Sequence, residues 1–488
     1  MTAPLPSATI FTDAELPQRQ LSAAEQVDHQ SARRGALDRA GPQLNSLIEL
    51  NPDVMAIAME RDAEARDGQT RGPLHGLAVA VKDNVDTADA MLTTAGSLAL
   101  AATRPTQDAV LVKRLREAGL VVLGKANMSE WANMRSPHST SGWSARGGLT
   151  RNPWDPMRNA GGSSSGSAVA TSTGISPLAV GTETDGSIIC PASFNGVVGL
   201  KPTVGLLPAE GIIPISHTQD APGPMARSVR LVAALLDAMT GTARYLKACD
   251  GSDLTNVRIG VVRDDFGAHG ATDAIAEGAL TALAAAGATL VDPVPGVPFP
   301  EPQTDDEDEG LRVLLYEFQH TLTAYLATRP PGSPRTLADV VEFNRAHADT
   351  ELMWFGQEYL EQASVLPGLD SQSYRSARAT ILRIAREDGL DTLFGQHSVD
   401  VVVAPAFSPA PMNDLVLGDP QGGGGECTTA PAIAGYPIIS IPMGFVHGLP
   451  VGLAITGHAH GEDLLLRVAH VLEGRLGLLD DGALVPGV

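Results

Sequence analysis

Short apolar runs rich in β-branched residues alternate with segments of helical period along most of this chain. Leu77 to Val81 (LAVAV) is followed by a helical pattern over Asp108 to Ala118 and then by LVVLG, ending at Gly124. Strand, helix and strand in that order make a βαβ rhythm. The rhythm returns with VRIGVV at Val257 to Val262, the alanine-rich helix Thr272 to Ala286, ATLVDPV, and DVVVAPA from Asp400 to Ala406. This predicts an α/β fold: a single large α/β/α domain over 1–488 in which a mixed central sheet is covered by helices. Ahead of it, 1–70 reads as an N-terminal helical segment. There Leu44, Leu47 and Ile48 fall at i, i+3 and i+4, and Val54 to Met59 form a second apolar stretch after Pro52. No fixed-period repeat is visible, which disfavours solenoids and propellers.

Composition narrows the partners. The 488 residues give ample chain for a sizeable core, and 34 Lys and Arg against 56 Asp and Glu leave a net charge of −22. Such a field repels phosphate backbones, so no nucleic-acid partner is expected. Two uncharged runs, Asn159 to Thr182 and Cys427 to Gly461, are long enough to cross a bilayer. The first is dominated by Gly, Ser and Thr and the second is broken by Pro431, Pro437, Pro442 and Pro450, so neither reads as a spanning helix. The beginning of the chain lacks the basic-then-apolar pattern of a signal peptide. Three scattered cysteines, Cys190, Cys249 and Cys427, form neither a disulfide framework nor a metal cage. A cytoplasmic chain without a membrane partner is expected, and its oligomeric state is left open. The acidic run Thr304 to Gly310 reads as a solvated loop or helix start. Gly418 to Cys427 reads as a flexible loop whose glycines also permit close approach of a substrate backbone.

Three segments place chemistry in strand-to-loop contexts. In AVAVKDN, Lys82 ends an apolar strand; such a lysine either pairs with a carboxylate or sits dehydrated, with its pKa lowered toward that of a usable base. In GGSSSGS, Gly161 to Ser167, the composition alone is that of a linker, but it leads into a small-residue segment that can be helical, where hydroxyls and amides gather at a helix start. In AVGTETDGSIICPASFNGVVGLKPT, Ala179 to Thr203, a small-residue strand can run into a tight turn ending at Ser187. That turn is either a plain Gly turn or a nucleophile displayed beside backbone N–H groups, as acyl transfer requires.

Taken in order, these three segments resemble the amidase signature family. Lys82, Ser163 and Ser187 match its Ser-Ser-Lys set, with the two serines 24 positions apart. The resemblance runs from about Leu44 through NMSEWAN and SGWSARGG to APAIAGYP and GLPVGL; 304–395 is its least diagnostic part. The wording GTETDGSIICPA, with SEWAN and GIIPIS followed by QD, is most similar to the bacterial peptide amidase branch. Where many other members have two glycines before the nucleophilic serine and an arginine shortly after it, those positions here are Asp185, Gly186 and Ile189; the local departure is Ala221-Pro222, which follow QD where Thr-Ala is expected.

The resemblance implies a catalytic signature core over 71–240 and a cofactor-free, metal-free amidohydrolase that converts a carboxamide to a carboxylate and ammonia. Its preferred substrate would be the C-terminal amide of a peptide or an amino-acid derivative. Ser187 would be the nucleophile, Ser163 the proton relay and neutral Lys82 the ultimate base. Backbone N–H groups among Thr184, Asp185, Gly186 and Ser187 would bind the oxyanion. Gly162 would precede Ser163 through a cis peptide bond, and Ser164 would be a supporting hydroxyl bonded within that loop. A general aliphatic or aryl amidase, a subunit of a tRNA-dependent amidotransferase and an amidase-like binding protein without turnover are the other readings. Asp185 either orients substrate or satisfies turn amides. His458 and His460 have a spacing that can bind zinc but lack a second ligand cluster. His75 and His217 read as structural or pocket-lining residues, Trp131 and Trp143 as packing residues, and Cys190 as an inert buried thiol.

Overall fold

In the computed structural model, residues 21–300, 308–420, 424–479, 484, 486 and 487 are described. The alternation of apolar residues builds one sheet of eleven strands. In chain order these are β1 (Leu47–Leu50), β2 (Ala78–Lys82), β3 (Val121–Ala126), β4 (Leu178–Glu183), β5 (Val198–Lys201) and β6 (Ala221–Ala226). They continue with β7 (Arg258–Val262), β8 (Thr289–Val294), β9 (Val401–Pro405), β10 (Ile438–Val446) and β11 (Leu449–Gly457). Across the sheet the order is β1-β3-β2-β4-β6-β5-β10-β11-β9-β7-β8. The sheet is mixed: β2 is parallel to both β3 and β4, and β7 to both β8 and β9. The remaining pairs are antiparallel.

Period-two alternation sorts the strands' side chains into two layers. Val79, Val81, Val122, Leu178 and Val180 face a core shared with the helices Val110–Glu117, Val229–Thr240, Gly270–Ala285 and Glu462–Leu476. Ala78, Ala80, Val121, Leu123 and Ala179 face the other way, onto α1 (Ser165–Ser172) and α2 (Ile189–Asn195). Small residues dominate this second layer because α1 packs very close to the chain beneath it. A Cβ on Gly166 would lie 2.2 Å from the Ser46 carbonyl oxygen and 2.5 Å from the Asn127 nitrogen. The serine-rich composition that resembles a linker therefore belongs to a fully buried helix.

The N-terminal reading needs one correction. The helices Ala23–Arg34 and Val54–Arg66 form, but Leu47–Leu50 is strand β1, paired antiparallel with β3. The Asp38 carboxylate accepts hydrogen bonds from the Ser46 and Leu47 N–H groups at 2.9 Å each, and the edge of β3 takes the strand that follows. Tertiary pairing here overrides a helical period carried by only three residues.

Between 308 and 397 the chain adds helices that pack on one side with Trp131, Ile213 and Ile215 and on the other with Val262, Val294 and Val402. The longest of them, α3 (Glu309–Thr328), starts with Asp308 accepting from the Leu311 N–H, so the acidic run ends in a helix cap; 304–307 lie outside the described residues. Phe318 and Leu322 of α3 pack with Trp131, Ile213 and Ile215. Arg135, fully buried, donates to Glu130 at 2.7 Å and to the carbonyls of Phe355 and Gly356, and its guanidinium lies 4.0 Å from the Phe355 ring centroid. Trp143 meets Phe355 edge to face at 5.1 Å, which makes it a packing residue. Arg135→Ala would leave Glu130 buried without its cation, so we expect a loss of about 3 to 5 kcal/mol in unfolding free energy by urea denaturation.

Among the described residues no helix is long and apolar enough to cross a membrane.

Candidate active site

The end of β2 delivers Lys82 into the layer beneath α1. Its side chain is fully buried, and Nζ lies 2.8 Å from Ser163 Oγ, 2.9 Å from Thr182 Oγ1 and 3.0 Å from the Thr182 carbonyl oxygen. Among the described residues no carboxylate contacts it directly. Burial disfavours the ammonium form and lowers the lysine pKa to about 7, with the more distant Asp220 and Glu183 partly opposing the shift. Two other lysines are equally buried, and their surroundings differ. Lys125 donates to the Val85 carbonyl and to Thr93 Oγ1 among the charges of Asp83, Asp86 and Asp89, while Lys201 donates to the Tyr436 carbonyl at 2.6 Å. Lys82 is the one whose amine meets a serine hydroxyl.

Ser163 stands just ahead of α1, after a cis peptide bond from Gly162. Ser164 bonds to the neighbouring strand instead of its own loop: its hydroxyl donates to the Thr182 carbonyl at 3.0 Å and accepts from the Thr182 N–H at 3.2 Å. Both serines are fully buried. This corrects the expectation of a bond within the loop, and the reason is that α1 lies flat on β4.

The turn after β4 is fixed from several sides. Glu183 reaches forward to accept from the N–H groups of Ile188 and Ile189 at 2.6 and 3.0 Å. Thr184 Oγ1 donates to Asp220 at 2.6 Å, Thr428 Oγ1 donates to Asp185 at 2.7 Å, and the Ser164 N–H donates to the Ser187 carbonyl at 3.0 Å. Gly186 sits at φ +73°, the left-handed conformation glycine adopts without steric cost. Among the described residues the N–H groups of Asp185, Gly186 and Ser187 make no hydrogen bond. Three successive free donors in a rigid turn form a preorganised anion receptor. Ser187 is buried, with 8 % of its surface exposed. Asp185 is accessible to solvent, and the protein around it raises its pKa by desolvation.

Several contributors carry no signal in the sequence. Asn84, two residues after Lys82, donates to Thr182 Oγ1 at 2.9 Å. Asp220 receives the Ile215 and Ser216 N–H groups as well as Thr184, and burial pushes its pKa up to about 6. Glu317, fully buried on α3, accepts from Thr218 at 3.0 Å and from the Tyr374 hydroxyl at 2.7 Å, so the least diagnostic part of the chain clamps the loop that carries Asp220. Asp419 accepts from the Ser141 N–H and from Asn159, tying the loop after β9 to the segment ahead of Ser163. Of the Gly418 to Cys427 run, Gln421 to Gly423 lie outside the described residues, and its last two residues open the helix Glu426–Ala434.

His458, His460 and His75 stand apart from this cluster. His458 stacks on Phe394 at 4.0 Å, the backbone N–H of His460 donates to Thr203, and His75 Nε2 lies 2.9 Å from the Arg61 carbonyl. His217 is half-exposed, 3.5 Å from Glu317. Trp131 is buried in the core against α3. Among the described residues no group of three His, Cys, Asp or Glu is placed to hold a metal. Burial pushes the Cys190 thiol up to about 12 and the Cys427 thiol well above its ordinary value. Little thiolate exists at neutral pH, so maleimide treatment at pH 7.5 is expected to change turnover by less than about twofold; rapid inactivation that follows Cys190 labelling would contradict it.

Comparison with known proteins supports this reading of the fold. The family model described as Amidase matches residues 33–466. The crystal structure of a native peptide amidase from Stenotrophomonas maltophilia superposes with a TM-score of 0.85 at 44 % identity, covering 95 % of each chain. A structure of a peptide amidase with the competitive inhibitor chymostatin gives a TM-score of 0.88 at 45 % identity, over 95 % of this chain and 96 % of that one. A probable amidase of Arabidopsis thaliana is 34 % identical over 459 residues, 90 % of this chain and 84 % of the relative.

Proposed function

The chain belongs to the amidase signature family of amide-hydrolysing enzymes, and from that premise we propose that it removes ammonia from the C-terminal carboxamide of peptides or amino-acid derivatives. The observation that carries the proposal is the contact of a buried lysine with a serine hydroxyl, 2.8 Å apart, with no carboxylate on that lysine among the described residues, beside a turn with three N–H groups that are free among them. Similarity to peptide amidases at 44 and 45 % identity supports the substrate class.

The chemistry then follows from the residues. Ser187 attacks the amide carbonyl, and its proton passes to Ser163 as Ser163 gives its own to the neutral Lys82 amine. A serine at its ordinary pKa is a poor nucleophile, and this relay supplies the base it lacks. The N–H groups of Asp185, Gly186 and Ser187 receive the negative oxygen of the tetrahedral intermediate, each worth on the order of 3 kcal/mol in comparable sites. The relay runs backwards to protonate the departing nitrogen, ammonia leaves, and water attacks the acyl group on Ser187 by the same route. Asp185, held by Thr428, keeps the turn in shape.

The test is ammonia release from N-acetyl dipeptide amides, free amino-acid amides and an aryl amide. Higher kcat/KM on the peptide amides is the expected result. Turnover confined to the simple amides would leave the mechanism standing and remove the peptide substrate. No ammonia from any of them would remove the proposed activity.

A further inference from the structure

Strands β9 and β11 form the floor of a cavity of about 490 Å³. That volume is in the range of small-molecule sites. Val402 faces the cavity beside Thr456, its partner on the neighbouring strand, and Ala404 does so beside Ala454. Val297 and Phe299, after β8, wall it together with Leu390 and Leu393. The helix α4 (Glu426–Ala434) lines it with Glu426, Cys427, Thr429 and Ala430. Lys82, Ser163 and Ser187 are not among its lining residues. Thr428 of the same helix holds Asp185, so the cavity shares an element with the turn of Ser187 without sharing the reacting groups.

The charged groups of this largely apolar space carry one sign. Asp264, Asp265 and Glu426 line it, and no Lys, Arg or His does. Asp264 accepts from the Gly296 N–H at 2.8 Å, whereas among the described residues the carboxylates of Asp265 and Glu426 have neither a hydrogen bond nor an ion pair. Arg263, the cation next in the chain, is taken by Glu277 and Asp292. Burial, with the like charges of Glu426 and Asp264, pushes the Asp265 pKa up to about 6, as expected of a carboxylate without a counter-ion. On the floor, Thr456 is 4 % exposed, and its hydroxyl has no hydrogen-bond partner among the described residues. Buried hydroxyls are ordinarily bonded, so this one calls for a polar atom brought into the cavity. Among the described residues no three of His, Cys, Asp and Glu are placed to hold a metal ion. The complement to unpaired carboxylates beside hydrocarbon walls is an organic cation.

We propose that this cavity is a binding site for a primary amine with an apolar body, an arylalkyl- or alkylammonium, with Asp265 and Glu426 as its anionic partners, the Thr456 hydroxyl as a polar contact on the floor, and Phe299, Leu393, Val402 and Ala404 covering the hydrocarbon. A primary ammonium brings three N–H donors and no acceptor, which suits carboxylates that hold no other hydrogen. The apolar walls supply the driving force that a small inorganic cation would leave unused. The site is independent of the hydrolytic reading, since none of the reacting groups takes part in it.

Isothermal titration calorimetry of the full chain at neutral pH tests it with three probes. Phenethylamine has both the charge and the apolar body, phenethyl alcohol has the body alone, and methylamine the charge alone. Phenethylamine is expected to bind at least about tenfold more tightly than either of the others. Asp265→Asn and Glu426→Gln, both at positions outside the buried core, are each expected to weaken phenethylamine by about tenfold and to leave phenethyl alcohol within about threefold of the parent. Thr456→Val keeps the shape of the side chain and is expected to weaken the amine by about threefold. Three results overturn the proposal: no saturable binding of phenethylamine, equal binding of the amine and the alcohol, or amine binding unchanged in both carboxamide variants, which would place the amine elsewhere on this acidic chain. The two carboxylates are replaced separately, so a variant that fails to fold leaves the other to decide.

Discussion

Ser187→Ala is expected to lower ammonia release by at least about 10⁴-fold and to leave the melting temperature within a few degrees of the parent. The two halves of this expectation have separate physical sources. Removing the hydroxyl removes the atom that forms the acyl-enzyme, and the remaining donors and relay then assist only the direct attack of water. The fold is indifferent because the turn is held by other atoms: Glu183 on the Ile188 and Ile189 amides, Asp220 on Thr184, and the Ser164 N–H on the Ser187 backbone carbonyl. The side chain ends in one small hydroxyl, so its loss removes little packed volume. Ammonia assays paired with thermal melts decide the matter. Activity within tenfold of the parent would sink the assignment of the nucleophile, and a large fall in melting temperature would show that the hydroxyl holds the turn.

Much of this arrangement is readable from the sequence, and the unreadable part has a common cause. Strands β2, β3, β7 and β9 are continuous apolar runs bounded by turns, so their existence follows from local pattern. Lys82, Ser163 and Ser187 are recognisable through the family resemblance, and the alternation in β2 is enough to put Lys82 on the same face as Ala78 and Ala80. Strand β1 is not readable, since its evidence is a pairing with β3 some seventy residues away. The same holds for Asn84, Glu317 and Asp419. Each is an ordinary polar residue in a loop or on a helix, and each gains its meaning from a partner that only the folded chain brings near: Thr182, Thr218 and Asn159. Buried polar contacts between distant segments have no period to betray them, and they concentrate where a site is held in shape.

Lys82→Met is expected to cut turnover by at least about 10³-fold and, at neutral pH, to make the protein more stable. In the parent, the activity limb governed by Lys82 should rise with pH through about 7, because the neutral amine is the base and burial brings its pKa there. Folding responds to the same proton, and in the same direction. The ordinary lysine value of 10.5 applies to the unfolded chain, so between pH 7 and 10.5 the unfolded state binds a proton that the folded state lacks. Stability therefore increases with pH across that window, and the penalty for burying the amine is fully present below it. At pH 7 the penalty is roughly 4 kcal/mol, and the three hydrogen bonds of Nζ return about 1 kcal/mol each. Replacing the amine by a thioether chain of similar length gives up both, for a net gain of about 1 to 2 kcal/mol near neutrality that fades as pH rises. The acceptors left behind retain partners: Ser164 still donates to the Thr182 carbonyl, and Asn84 to its hydroxyl. Urea unfolding of both proteins at pH 6.5, 8 and 9.5, alongside pH-rate profiles of the parent, reads the two effects independently. A variant that is inactive but less stable at every pH would mean that the amine is retained for its hydrogen bonds, and would break the link between catalytic power and stored instability at this position.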